Sequence, residues 1–218
     1  MNFFPEPVER PAPDDLDESP QPAWISAPTD AIPGVVPVEL VLGRSESTVV
    51  LLTGMRAFPA GLEMVLGVRV RGSVAGFDLN SELFDGPYSH DMGADWQVGR
   101  LKWGFEFADG RRVTNVDPID WADRHDHAGG HRPEPASLSW EREPPRPVLQ
   151  GGGGGGGPRD SDRNYWLWPL PPVGRLLVVC QWLARDIAQS TQEISGSAIS
   201  DAAARARPLW TGPGPEAK

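Results

Sequence analysis

A mainly β fold is predicted: an antiparallel two-sheet sandwich of about eight strands, with one short C-terminal helix and a disordered, acidic, proline-rich N-terminal tail. Three observations predict it. The 218 residues include 25 glycines and 24 prolines, and each interior Gly or Pro weakens a helix. Residues 62–70 place Leu62, Met64, Leu66, Val68 and Val70 at strict alternation, the period of a strand rather than the three-and-four stripe of an amphipathic helix. Residues 101–107 repeat the pattern with Leu101, Trp103, Phe105 and Phe107 and run into Asp109-Gly110. That pair suits a type I′ hairpin turn, in which both central residues need positive φ.

The elements follow in order. Residues 1–33 read as the tail: eight prolines stand among Asp14, Asp15, Asp17 and Glu18, so amide donors are missing and the carboxylates stay solvated. Its second half holds Trp24, Ile25 and Ile32; the Trp24-Ile25 pair is either an anchor on the domain or an idle exposed pair. Val38, Leu40 and Leu42 begin the folded part with a period of two, 43–46 is a turn, and 48–55 is a β-branched and leucine run. After the 62–70 strand, 72–99 is irregular with a short helical turn at 78–84. Residues 112–116 return as the second strand of the hairpin.

Residues 117–147 read as a polar loop, and the seven glycines at 151–157 as a flexible linker or a long hairpin loop. Strands are expected at 164–168 and 176–182, separated by a proline turn, with a weaker one at 189–194. Ser197 or Ser200 is expected to cap a short helix through Ala202–Ala206, which Pro208 stops. The organisation is thus a tail over 1–33, one domain over 34–210 with flexible loops at 117–147 and 150–163, and a second short tail over 211–218. Hairpin-connected short strands without a βαβ rhythm give a sandwich, with a closed barrel as the alternative.

Composition narrows the function classes. A formal charge of -10 opposes nucleic acid, whose binding needs a cationic face. No apolar run approaches the ~20 residues of a bilayer span, so no membrane partner is expected. The N-terminus lacks a cationic and an apolar leader region, which points to a cytoplasmic protein. The single cysteine, Cys180, sits in an apolar run and reads as a small buried hydrophobe. Eighteen of the twenty basic residues are arginine, a sign of GC-rich coding rather than of anion clamps.

The strand entering Phe-Ala-Asp-Gly-Arg-Arg at 107–112, the glycine run followed by Tyr165-Trp166-Leu167-Trp168-Pro169-Leu170-Pro171-Pro172, and the Ala-rich helix ending at Leu209-Trp210 together resemble a family of small uncharacterised actinobacterial proteins. The resemblance covers about residues 45–210. It implies a cytoplasmic protein of that lineage and brings no activity, ligand or catalytic residue with it.

Two clusters are candidate sites. Asp123, His125, Asp126, His127 and His131 fall within nine residues; in an extended segment His125 and His127 point the same way, and such nitrogen and oxygen donors suit Zn²⁺ or Ni²⁺. The bland alternative is a solvated loop. Trp166 and Trp168 share one side of their strand, with Tyr165 and Leu167 on the other. One pair faces the core, leaving the other to stack on a sugar or small ligand, unless the tail or the helix covers it. The glycine run is not a phosphate loop, because Pro158-Arg159-Asp160 follows it where a Gly-Lys-Ser/Thr is needed. No catalytic residue is assigned, and Gly-x-Ser-x-Gly is absent. The expected function is therefore a non-enzymatic protein-interaction or self-association module. The alternatives are a metal-dependent enzyme using the 123–131 loop and a carbohydrate- or small-ligand-binding sandwich.

Overall fold

Alternation along the chain becomes sheet in the computed structural model, which describes residues 21–72, 79, 83, 99–117 and 143–210. The described residues form twelve strands, more than the eight or so expected, because four of them are only two or three residues long. They are β1 (Ala31–Ile32), β2 (Gly34–Val35), β3 (Leu40–Arg44), β4 (Thr48–Ala57), β5 (Leu62–Val70), β6 (Lys102–Glu106), β7 (Arg112–Thr114), β8 (Val148–Gly156), β9 (Asp160–Trp168), β10 (Arg175–Trp182), β11 (Ile187–Ser195) and β12 (Arg207–Pro208). One helix, α1 (Gly196–Ala204), lies between β11 and β12.

Every pairing is antiparallel. The largest sheet runs β2-β4-β5-β9-β8, with β3 also on β4; the second runs β11-β10-β6-β7; β1 and β12 make a two-stranded ladder. Among the described residues no sheet closes on itself into a barrel. The alternating face of β5 is buried along its whole length, and Leu62, Met64, Leu66, Val68 and Val70 join Val50 and Leu52 of β4. Trp103 and Phe105 of β6 and Leu176, Val178, Cys180 and Trp182 of β10 belong to the same cluster. Each such large side chain removed from water stabilises the fold by roughly 1.5–3 kcal/mol. Ser190 Oγ donates to the Leu42 carbonyl and so ties β11 to β3. Leu79 and Leu83, four residues apart and helical, are also buried.

Four local expectations are corrected. The glycine run is not a loop: Val148–Gly156 is a strand whose backbone pairs with β9 from Val148↔Trp168 to Gly156↔Ser161, with one irregularity between Gly151 and Gly154. A ladder needs only amides and carbonyls, and β9 supplies the partner, so the missing side chains do not prevent pairing. The same pairing starts β9 at Asp160 and leaves Pro158-Arg159 as the hairpin tip, with the Gly157 amide donating to the Asp160 carbonyl at 2.8 Å.

The turn between β6 and β7 is one residue longer than a type I′ pair. The Gly110 amide donates to the Phe107 carbonyl at 2.9 Å, the Phe107 amide to the Arg111 carbonyl at 2.8 Å, and Gly110 has φ 84 while Asp109 is not in the positive region. This is a type I turn closed by a glycine bulge, and Asp109 accepts from the Arg111 amide. The helix begins earlier than expected: Ser195, not Ser197 or Ser200, is the N-cap and accepts from the Ala198 amide. Its buried positions Gly196, Ile199, Ala202 and Ala203 follow the helical spacing, so the register of the apolar face sets where the helix starts. The fourth correction is the extent of the tail. Residues 21–33 pack on the domain, as the next section describes. Among the described residues no helix is long and apolar enough to cross a membrane.

Candidate functional site

Strand β9 positions the aromatic residues that were candidates for ligand binding. Tyr165 and Leu167 point inward, where Tyr165 meets Trp103 at 4.7 Å between ring centroids, edge to face, and the Arg163 guanidinium lies 5.7 Å from the Tyr165 ring. Burial pushes the Tyr165 phenol up from its ordinary pKa. Trp166 points the opposite way, yet it too is buried. Phe58 packs on it at 5.8 Å, edge to face, and its indole Nε1 donates to the Ala23 carbonyl at 2.9 Å. Half-buried Trp168 meets Trp24 edge to face at 6.1 Å.

The exposed aromatic platform expected from Tyr165, Trp166 and Trp168 is therefore not open. Tyr165 lies under the second sheet, and the segment around Trp24 covers Trp166 and Trp168. Trp24 is the anchor and not an idle residue. Cys180 is buried as expected, and burial pushes its thiol up to about 12, so no thiolate is available for chemistry at neutral pH. Asp123, His125, Asp126, His127 and His131 lie outside the described residues. Among the described residues no three His, Cys, Asp or Glu side chains come together in a way that could hold a metal ion.

A second surface is built where the two ends of the described chain meet. Ala31 pairs with Pro208 and Ile32 with Arg207, the Leu209 amide donates to the Asp30 carbonyl at 2.7 Å, and Arg205 Nη2 donates to the Val35 carbonyl at 2.8 Å. On and just beyond this ladder Ile32 is 39% exposed, Leu209 44% and Trp210 74%, and Val35 of β2, which pairs with β4, is 64% exposed. Periodicity along the chain gives no sign that residue 32 meets residue 207. The local signals were Ile32 near the end of the tail and a Trp just beyond the helix.

An open bowl of about 650 Å³ lies between the Ser45-Glu46-Ser47 turn, Arg71-Gly72 and Asp186. The Arg71 amide donates to the Ser47 carbonyl at 2.7 Å, and Asp186 takes the left-handed conformation at φ 56. Its charged side chains are exposed, so water screens them. No protein-family model, curated protein or solved structure matches the chain.

Proposed function

We propose that the protein is a non-enzymatic interaction module, a two-sheet β-sandwich that docks a protein partner or a second copy through the surface where its chain ends pair. The observation that carries this reading is the group of exposed apolar residues Ile32, Leu209 and Trp210 on and just beyond the β1–β12 ladder, with Val35 exposed on β2 next in the chain. Single exposed apolar residues are ordinary on any surface. Four near the paired chain ends, including a Trp that is three-quarters exposed, have the composition of an interface centre. The net charge of -10 further supports a protein partner over a nucleic acid.

Trp210→Ala and Leu209→Asp test the reading. Both side chains are exposed and lie outside the core, Trp210 more than Leu209, so the melting temperature should stay within about 2 °C of wild type. Association, followed by sedimentation over a wide concentration range and by pull-down with wild-type protein as the reference, should fall at least about tenfold, as for a central aromatic contact. Unchanged association in both variants would refute the reading.

A further inference from the structure

We propose that two copies of the chain associate by exchanging the arm formed by residues 21–32. This rests on the interaction reading above and names the partner as a second copy. The contacts that hold the arm on the domain join residues far apart in sequence. Ala23 receives the Trp166 indole N–H, Trp24 meets Trp168, and β1 pairs with β12. These contacts are thus the same whichever copy supplies the arm, and the groove that takes it is the face of β9 bearing Trp166 and Trp168.

The link to the domain is Pro33, because Gly34 is already paired with Ala57 in the large sheet. Proline favours an extended residue before it, and Ile32 is already extended in β1, so the arm keeps its backbone on exchange and only the hinge need change. Exchange through so short a hinge places the two hinges side by side at the two-fold axis. Ile32 and Val35, which flank the hinge and are exposed in the single chain, then meet their counterparts. That contact has no equivalent in the monomer and is what favours the dimer.

The test uses complementary damage in the full-length chain. Trp24→Ala spoils the arm, Trp168→Ala spoils the groove, and each change weakens the closed monomer and its own homodimer equally. A mixed dimer has one intact arm-in-groove contact that neither monomer has. One variant is isotopically labelled, both are refolded together from urea, and native mass spectrometry reads the dimer masses. The expected result is mixed dimer about three- to tenfold above the statistical share, the value of one aromatic contact. Trp168→Leu replaces Trp168→Ala if circular dichroism shows that the latter does not refold.

A statistical mixture of dimers would overturn arm exchange while leaving the interaction reading in place. A protein that stays monomeric at every concentration, yet still loses a pulled-down partner on Trp210→Ala, would overturn the exchange in the same way.

Discussion

The indole of Trp166 and the carbonyl of Ala23 are joined by a 2.9 Å hydrogen bond across 143 residues of sequence. It turns a proline-rich leader into a strap over an aromatic strand. Replacing Trp166 by Phe keeps an aromatic ring against Phe58 but removes the donor. We expect a loss of about 1 kcal/mol from the bond and faster proteolytic cleavage within residues 21–30, read by timed digestion and mass spectrometry. Cleavage at the wild-type rate would mean that the bond does not hold the strap.

The glycine strand should respond differently at neighbouring positions. At Gly155 a Cβ would meet nothing within 4 Å, whereas at Gly156 it would run into the Asp160 carbonyl. Gly155→Thr is expected to raise stability by about 0.5–1 kcal/mol, since a β-branched residue loses less entropy in a strand. Gly156→Ala is expected to lower it by about 1–3 kcal/mol. Urea unfolding of the two variants decides the matter, and equal effects would contradict the pairing of β8 with β9.

Cys180 should be silent in the native protein. Its thiol loses its proton near 9.0 in the ordinary case and is pushed up to about 12 by burial here. A colorimetric thiol reagent at pH 8 should react only after denaturation. Between pH 9 and about 12 the unfolded chain gives up this proton and the folded chain keeps it, so stability falls as pH rises through that window. Tyr165, raised in the same direction by burial, adds to the fall. Cys180→Ser should lessen the pH dependence, and a melting temperature that rises with pH over this range would contradict the burial of both groups.

How much was legible in advance depended on whether a signal is local. Leu62 to Val70 and the β6–β7 hairpin were readable because each residue's fate is decided by neighbours two positions away. The glycine strand was not, since a residue without a side chain carries no periodicity and its state is set by β9. Trp166 illustrates the limit at the site. Its side of the strand follows from counting, but its cover comes from Ala23 and Phe58, which no spacing rule connects to it. The same applies to Ile32 and Arg207, whose meeting depends on strand register between the two chain ends.

Helix α1 offers a sharp comparison among three serines. Ser195 accepts the Ala198 amide, while Ser197 only shares a 2.8 Å contact with the Ser195 hydroxyl. Ser195→Ala should cost about 1 kcal/mol and Ser200→Ala less than about 0.5 kcal/mol, both by thermal melting. The reverse order would move the cap back to where the sequence pattern had suggested it.

Arg69 and Asp162 form a two-bond pair between β5 and β9, each bond 2.9 Å long. Both side chains are nearly half exposed, so solvent screening limits what the pair adds. Asp162→Asn is expected to cost less than about 1 kcal/mol, with the difference shrinking further in added salt. A larger, salt-insensitive loss in chemical denaturation would mean that the pair is held in a drier setting than its exposure implies.

The β1–β12 ladder also orders events in time. Ala31 leaves the ribosome long before its partner Pro208, with almost all of the described chain translated between them. At about 5–20 residues per second, the leading segment spends roughly ten seconds or more without its strand partner. During that interval on a polysome, a neighbouring nascent chain is the nearest alternative host for it.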